Sequence, residues 1–228
     1  MCGRFTLWLQ FGDLVKAFPD FEFPDPTSAG AEALTPRYNI APTQQLAVVP
    51  NNGENEVEFF RWGLVPFWAK DPSIGNRMIN ARGETASEKP AFRAAYRRRR
   101  CLILADGFYE WRKEPGERTK TPMYIRLASG EPFAFAGLWE AWGSEEAPLL
   151  TCTIITTRPN ALVAPIHNRM PVILPRASYD SWIDPAEVPS GALDDLLTPY
   201  PAEEMVAYPV SRYVNSPSND SPACIAAA

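Results

Sequence analysis

The sequence predicts a single α+β domain with a mainly antiparallel, curved or barrel-like β-sheet flanked by short helices. Apolar runs of strand length are frequent, and the gaps between most of them are too short for a parallel crossover. In addition, 24 prolines and 13 glycines among 228 residues divide the chain into short elements. A composition of 46% hydrophobic and 21% charged residues is typical of a folded globular protein and excludes a wholly disordered chain.

Strand-like composition occurs in nine segments. These are residues 46–49, 57–62, 100–105, 108–112, 123–127, 133–139, 149–156, 172–174 and 206–214. The spacing of Leu7, Phe11, Leu14 and Phe18 predicts one face of a helix that ends before Pro19. Further short helices or turns are predicted at 91–97, 159–163, 177–183 and 192–197.

The remaining segments are expected to lack regular structure. Residues 37–42 are predicted to form a loop or an extended arm on the surface. Residues 1–215 are assigned to one domain, since nothing in them resembles a linker. Residues 216–228 are rich in Ser, Pro and Ala, and we expect them to be disordered.

Several classes of protein are excluded at this stage. No apolar run approaches bilayer length and the N-terminus lacks a signal-peptide core, so we expect a cytoplasmic protein without membrane contact. The four cysteines (Cys2, Cys101, Cys152 and Cys224) are far apart, and the chain has one histidine. We therefore expect reduced thiols and neither a metal nor another cofactor.

The net charge of −5 conceals an uneven distribution of cations. From Arg61 to Arg112 the chain has eleven Lys and Arg against five Asp and Glu, a charge of +6, whereas the remainder has −11. Arginine outnumbers lysine by 17 to 5, and its planar guanidinium suits phosphates and base stacking. One interpretation is a polyanionic partner; the other is that residues 97–100 are a solvated helix end whose cations offset the helix dipole.

Cys2 becomes the N-terminal residue if Met1 is removed, which so small a side chain permits. Its α-amine and thiol would then lie on adjacent carbons, with reference pKa values of about 7.7–8.0 and about 8.5. Such a 1,2-aminothiol can trap an aldehyde, because the amine forms an imine and the thiol then closes a thiazolidine ring. The alternative is that Cys2 is an ordinary small buried side chain.

Asn80 and Arg82 are two residues apart on a segment that we expect to be extended, so their side chains share one face. An amide and a guanidinium placed in this way suit a sugar or base edge and a phosphate. Phe67 and Trp68 lie nearby in sequence, and aromatic residues beside basic ones are typical of single-stranded nucleic acid binding. Trp62, in contrast, is expected to fill the core.

Glu110 and His167 are the candidates for proton transfer. Glu110 lies among the aromatic residues of 108–111, and burial there would raise its pKa into the range useful for acid–base catalysis. Simple strand alternation would instead turn Glu110 to water. His167 lies in a Pro-bounded loop with polar neighbours, which favours a functional role over a structural one.

Seven short motifs occur in order along the chain. They are 1–5 (MCGRF), 37–42 (RYNIAP), 62–66 (WGLVP), 79–85 (INARGET), 106–111 (DGFYEW), 166–171 (IHNRMP) and 209–212 (PVSR). Together they resemble the SRAP family of abasic-site processing proteins, and the resemblance extends from residue 1 to about residue 215.

This resemblance implies a monomeric, DNA-associated protein that shields abasic sites in single-stranded DNA. Cys2 would condense with the aldehyde of the ring-opened sugar to form a thiazolidine crosslink. Asn80 would orient the amine and the sugar, Glu110 would relay protons, and His167 would act on the sugar hydroxyl to open the ring. The family is also described as a thiol autopeptidase that exposes its own N-terminal cysteine; here a host aminopeptidase could remove Met1 equally well.

The resemblance also implies a set of DNA-binding residues. They are Arg4, Arg82 and Arg169 for phosphates, Phe67 and Trp68 for flanking bases, and Thr156 for a backbone-phosphate contact. The chain departs from the family pattern at Asn168 and Met170, and at Pro90, where a further arginine is expected. These departures affect the number of phosphate contacts rather than the chemistry.

Two other functions remain open from the residues. Glutaminase-type N-terminal-nucleophile hydrolases also begin Met-Cys-Gly, but they act on an amide and need no basic segment. The chain shows no synthetase domain and no glutamine-binding motif. A single-stranded nucleic-acid binding module with an inert Cys2 would differ from the crosslinking protein because its DNA complex would not survive denaturation.

Overall fold

The computed structural model describes residues 2–114 and 116–228. These residues form thirteen β-strands and four short α-helices, joined by 3₁₀ helices and turns. The strands are β1 (Phe5–Leu7), β2 (Arg37–Ile40), β3 (Gln45–Pro50), β4 (Glu58–Trp62), β5 (Asn80–Arg82), β6 (Arg100–Ala105), β7 (Gly107–Arg112), β8 (Thr121–Leu127), β9 (Phe133–Trp142), β10 (Leu149–Thr157), β11 (Met170–Pro171), β12 (Ile173–Leu174) and β13 (Met205–Pro209). The helices are α1 (Phe11–Ala17), α2 (Gly83–Ala86), α3 (Arg93–Arg98) and α4 (Tyr179–Ile183).

Five strands close into a barrel of mixed direction. β3 pairs antiparallel with β4 and β6, β6 with β9, and β9 with β10, while a parallel pairing of β10 with β4 completes the ring. A second, antiparallel sheet has the order β13-β8-β7-β1-β2. The predicted fold class is therefore confirmed: a single, mostly antiparallel β domain with a barrel and few short helices.

Aromatic rings pack the second sheet against the barrel. Phe5 of β1 contacts Trp62 of β4 and Phe135 of β9, with ring centroids 5.3 Å and 5.6 Å apart. Trp62 is fully buried, as the sequence predicts, and its indole N–H donates to the Ile79 carbonyl at 2.9 Å. Burying a ring of this size stabilises the fold by about 2–3 kcal/mol. The N-terminal strand is thereby fixed against the barrel.

Three predicted element boundaries are wrong. The helix expected from Leu7 begins only at Phe11, because Leu7 ends β1 and pairs with Arg37. The expected surface loop 37–42 contains β2, and Asn39 is buried because its amide donates to carbonyls of the C-terminal segment. The segment 206–214 is a strand only as far as Pro209, after which a 3₁₀ helix follows.

Residues 216–228 are packed against the second sheet, so the expectation of a disordered tail is wrong. Cys224 is buried in a small apolar cluster with Tyr109 and Tyr124. Ala227 forms a β-bridge with Val210, and the Ile225 carbonyl accepts a hydrogen bond from the Tyr208 hydroxyl at 2.9 Å. The polar composition of this segment conceals these few apolar anchors, whose partners are all distant in sequence.

Arg100 is the largest charged side chain in the interior and has no exposed surface. Its guanidinium donates to the carbonyls of Tyr96, Arg97, Trp182, Asp184 and Ala186. Two of these carbonyls lie in α3, one lies in α4, and two lie in the residues that follow α4, so the guanidinium joins the ends of the two helices. Burial lowers the pKa of Arg100, but the five carbonyl acceptors satisfy its charge without a buried carboxylate.

Three further properties follow from the described residues. Within them no helix combines the length and the apolar character that crossing a bilayer requires. They also contain no group of three His, Cys, Asp or Glu side chains arranged to hold a metal. All four cysteines are buried and none forms a disulfide.

Replacing Arg100 tests whether this buried cation organises α3 and α4. We expect Arg100→Met to lower the free energy of unfolding by about 3–5 kcal/mol, because the buried carbonyls lose their donors. Urea unfolding followed by circular dichroism measures the change. Arg98→Met is the matched control, since Arg98 is exposed and its ion pair with Glu187 is worth at most about 1 kcal/mol. Equal stability of the two variants would contradict the assignment.

Candidate functional site

The four predicted catalytic residues come from segments that are distant in sequence and converge beside the barrel. Cys2 precedes β1 and Asn80 begins β5. Glu110 lies in the middle of β7, and His167 lies in the turn that precedes β11. The site therefore combines elements of both sheets, and its residues meet only in the folded chain.

Asn80 contacts Cys2 directly. Its side-chain Nδ2 donates to the Cys2 carbonyl at 2.9 Å and to the Ile79 carbonyl at 2.6 Å. The pairing of Asn80 with Ile154 of β10 fixes this position. The Asn80 Oδ1 atom is buried and accepts no hydrogen bond from the described residues, which leaves an acceptor for a donor that enters the site.

Glu110 is a buried carboxylate, with 3% of the residue exposed, so the interpretation that turned it to water is wrong. Desolvation raises its pKa, and the nearby His167 limits the rise. His167 Nδ1 lies 3.9 Å from Glu110 Oε1. Burial, together with the charge of Glu110, also raises the pKa of the Cys2 thiol. The thiol is therefore held in its neutral form.

The backbone of its own loop orients the His167 ring. The Arg169 N–H and the Arg169 carbonyl oxygen lie 3.0 Å and 3.1 Å from His167 Nδ1, so the backbone of Arg169 holds this ring nitrogen in either tautomer. The His167 N–H in turn donates to the Val163 carbonyl at 2.9 Å. The ring is 22% exposed and thus borders both the buried Glu110 and the surface.

A groove of about 550 Å³ opens beside this centre. It is lined by Trp68, Asn80, Arg82, Thr85, Lys89, Pro90, Ala91 and Phe92. Trp68 and its neighbour Phe67 are 49% and 60% exposed, which is unusual for large apolar side chains. Because Asn80 both lines the groove and contacts Cys2, the groove leads to the buried cysteine.

Arg82 lies where the sequence predicts it, whereas Arg4 does not reach the groove. Arg82 is exposed and shares the groove with Asn80, as their spacing on a strand requires. The Arg4 guanidinium instead donates to Asn39 Oδ1 at 2.7 Å and to two carbonyls of the C-terminal segment. In the structure Arg4 therefore joins the N-terminal strand to that segment.

Thr156 and Arg169 are also engaged within the protein. Thr156 is 1% exposed, and its hydroxyl donates to the Ala81 carbonyl at 3.3 Å, so it does not reach the surface where a phosphate would lie. Arg169 forms a bidentate pair with Glu84, with donor–acceptor distances of 2.6 Å and 2.9 Å. Its Nη2 also donates to the Thr156 carbonyl at 2.6 Å.

Glu84 and Lys89 are site residues that the sequence alone does not single out. Glu84 lies in the same motif as Asn80 and Arg82, but its partner Arg169 is 85 residues away. Hydrogen bonds from Arg169 lower the pKa of Glu84, so this carboxylate is charged at neutral pH. Lys89 lines the groove and contributes a second cation opposite the exposed aromatic residues.

The run of arginines at 97–100 is not one free cationic patch. Arg97 and Arg98 form ion pairs with Glu187, and Arg99 pairs with Glu140 at 2.9 Å. Arg100 is buried. The helix-end interpretation is therefore correct for part of the run, since Arg97 and Arg98 lie in the last turn of α3.

This geometry suits covalent capture of a carbonyl compound by the N-terminal segment. A nucleophile, an amide that orients it, and a carboxylate with a raised pKa are close together, and water is largely excluded from them. The cations and aromatic rings of the groove suit a phosphate backbone and unstacked bases.

Comparisons with known proteins agree with the order of the motifs. The model of the SOS response associated peptidase (SRAP) family matches residues 1–217. The chain is 49% identical over 227 residues to Abasic site processing protein YoqW of Bacillus subtilis, with 99% of both chains covered. It is 31% identical over 268 residues to Abasic site processing protein HMCES of Xenopus tropicalis, with 100% of this chain and 78% of that protein covered.

The fold is likewise similar to a solved structure. The crystal structure of a protein from Bacteroides thetaiotaomicron superimposes with a TM-score of 0.86 at 27% identity, and the match covers all of both chains. Family model, relatives and fold thus agree over nearly the whole length: the chain belongs to the SOS response associated peptidase (SRAP) family.

Proposed function

We propose that this protein processes abasic sites in single-stranded DNA by forming a covalent thiazolidine crosslink through Cys2. The observation that supports this most is the contact between Asn80 and Cys2, because it joins the nucleophile to a groove suited to DNA. The relatives named above are abasic site processing proteins, which supports the same substrate.

The reaction needs a free α-amine on Cys2, so the Met1–Cys2 peptide bond is first hydrolysed. Either the protein itself, as a thiol autopeptidase, or an aminopeptidase of the host adds water across that bond and releases methionine. The sequence is compatible with both routes. Deletion of the methionine leaves the 1,2-aminothiol that the crosslink requires.

The crosslink forms in two steps, a condensation that releases water and an addition that closes the ring. The amine adds to the aldehyde of the ring-opened abasic sugar, and the resulting carbinolamine loses water to give an imine. The thiol sulfur then adds to the imine carbon while its proton moves to the nitrogen, which closes the five-membered ring. No oxidant, reductant or metal is consumed in these steps.

Each polar side chain has one task in this scheme. Asn80 orients the amine and the sugar through its amide. Glu110, whose pKa is raised by burial, is suited to donate a proton to the departing water oxygen and then to take up the thiol proton. His167 acts on the sugar hydroxyl and so speeds the opening of the ring to the aldehyde, the form that reacts.

DNA binding is assigned first to the groove. Arg82 and Lys89 neutralise phosphates, and Trp68 with Phe67 stacks on the bases beside the abasic site. Arg169 could reach a phosphate only by exchanging Glu84 for it, and Arg4 only by leaving Asn39. A phosphate contact through Thr156 would require its buried hydroxyl to be exposed.

The nucleophile is tested with an oligonucleotide that contains one abasic site. We expect the wild-type protein to form an adduct that survives a denaturing gel, and Cys2→Ser and Cys2→Ala to form none while still binding DNA. The reason is that a thiazolidine needs both sulfur and amine. Cys101→Ala, which removes another buried thiol, serves as the control and should crosslink normally. A heat-stable adduct with Cys2→Ser, without added reductant, would exclude the thiazolidine.

Glu110 is tested by the rate of the reaction. We expect Glu110→Gln to slow crosslink formation by about 10²-fold or more, because proton transfer of this kind contributes about 10² to 10⁴ in rate. The yield after many hours should be nearly unchanged, since a catalyst does not alter the equilibrium. A gel time course measures both, and the exposed Glu117→Gln is the control. Wild-type rates in a folded Glu110→Gln protein would assign Glu110 a structural role only.

Groove binding is tested by its dependence on salt. Each phosphate neutralised contributes about −0.7 to the slope of log affinity against log salt for a single strand. We expect Arg82→Ala to weaken non-covalent binding and to reduce this slope by about one such contact. Fluorescence anisotropy over a salt series measures it, with the exposed Arg118→Ala as the control. An affinity that does not change with salt would contradict the electrostatic basis of the groove.

A further inference from the structure

A second concavity, which we call the arginine pocket, lies beside the groove and shares no residue with it. Its volume is about 430 Å³. It is lined by Ser87, Arg93, Ala94, Arg97, Arg98 and Ser190. Three of these six residues are arginines, two are serines, and none is acidic. The proposed crosslinking chemistry uses none of them.

This pocket is held together by tertiary contacts and does not result only from the exposure of long side chains. Arg93 and Arg97 are four residues apart on α3, so their side chains lie on one face of the helix, one turn apart. Ser190 also lines the pocket, and it belongs to the segment 187–190. This segment is joined to α3 where the Val188 N–H donates to the Arg97 carbonyl at 3.0 Å. The Ser190 hydroxyl donates to the Ser87 carbonyl at 3.1 Å.

The charge of the pocket favours an anion. Glu187 pairs with both Arg97 and Arg98, but these side chains are 40–60% exposed, and ion pairs at this exposure are weak and readily exchanged. Arg97 and Arg98 thus share one carboxylate, and Arg93 adds a third guanidinium group to the lining. The carbonyls at the end of α3 do not oppose an anion strongly, because the Arg100 guanidinium donates to two of them, Tyr96 O and Arg97 O.

The pocket continues the groove along the chain. Lys89 to Phe92 line the groove, whereas Ser87 and Arg93 line the pocket, so both concavities border the same short segment between α2 and α3. The groove has the cations Arg82 and Lys89, and the arginine pocket on the other side of this segment has Arg93 and Arg97. A DNA strand that leaves the groove across this segment would pass over the arginine pocket.

We propose that the arginine pocket binds a phosphodiester of the DNA strand on one side of the abasic site, several nucleotides away from it. This inference rests on the proposed function, since it extends the path of the same strand. The proposal fixes the direction of the DNA strand on the protein, because only one of the two flanks, 5′ or 3′ of the abasic site, would lie over α3.

The test uses oligonucleotides that contain a tetrahydrofuran abasic analogue, which has no aldehyde and cannot crosslink. One carries two nucleotides on each side of the analogue, one is extended by ten nucleotides on the 5′ side, and one is extended equally on the 3′ side. Affinity is measured by anisotropy over a salt series. The variants are Arg93→Glu, which reverses a pocket charge, and Glu187→Gln, which frees two pocket arginines. Arg118→Glu is the control for an exposed arginine elsewhere.

We expect Arg93→Glu to weaken binding of only one of the two extended strands, by about threefold to tenfold, and to reduce its salt slope by about 0.7. Glu187→Gln should tighten binding of that same strand. Wild-type affinity of both variants for every strand would overturn the proposal, and so would an equal loss for all three strands, since that would assign Arg93 to the groove.

The proposed function, crosslinking through Cys2, is tested separately. The same variants are mixed with an oligonucleotide that contains a natural abasic site, and covalent adducts are counted on a denaturing gel. If the variants crosslink normally and bind the extended strands with wild-type affinity, the proposal for the arginine pocket is overturned and the proposed Cys2 chemistry is unaffected. Failure of the wild-type protein to crosslink would overturn the proposed function and, with it, this extension.

Discussion

The pairing of β10 with five different parts of the chain determines where the site is formed. Its first half closes the barrel between β9 and β4, and its second half pairs with β5 and β11. Thr151 and Cys152 of β10 also accept the N–H groups of Val65 and Gly63, which lead to the exposed Trp68. The pairing register of β10 therefore sets three positions in the site. They are Asn80 and Arg82 on β5, the loop that carries Trp68, and the turn before β11 that carries His167. A shift of one residue would reverse the faces of all these strands and disperse the site.

Burial of Cys2 beside Glu110 has a consequence for the order of the proposed steps. Desolvation and the neighbouring carboxylate both raise the pKa of the thiol, so the sulfur stays protonated and weakly nucleophilic until an imine is present. The amine, not the thiol, is then the first group to attack the aldehyde. Glu110, whose own pKa is raised by burial, is suited to move the thiol proton at the moment of ring closure.

The barrel strands and the residue types that meet in the candidate site could be predicted from the sequence, because strand periodicity and short motifs are local properties. The apolar runs that became β6 and β10 needed no partner to be recognised, and Asn80 and Arg82 share a face on any extended segment. What could not be predicted depends on distant partners. Glu84 neutralises Arg169 across 85 residues, and Asn39 is buried only because the C-terminal segment supplies carbonyls for its amide. The same long-range contacts order residues 216–228 against the expectation from composition.

The relative position of Cys2 and Glu110 depends on the turn that joins β6 to β7. Asp106 in this turn accepts hydrogen bonds from the Thr6 hydroxyl and from the N–H groups of Trp8 and Leu9, and burial raises its pKa to about 6. Gly107 follows at the start of β7, where a Cβ atom would lie 2.2 Å from the Tyr124 hydroxyl, so the Tyr124 side chain of β8 can pack this closely over β7 only at a glycine. The Tyr109 N–H then donates to the Arg4 carbonyl at 3.0 Å. These contacts hold β1 against β7. The distance from Cys2 to Glu110 is therefore set by paired backbone rather than by flexible side chains, which is the rigid placement that the proposed two-step reaction needs.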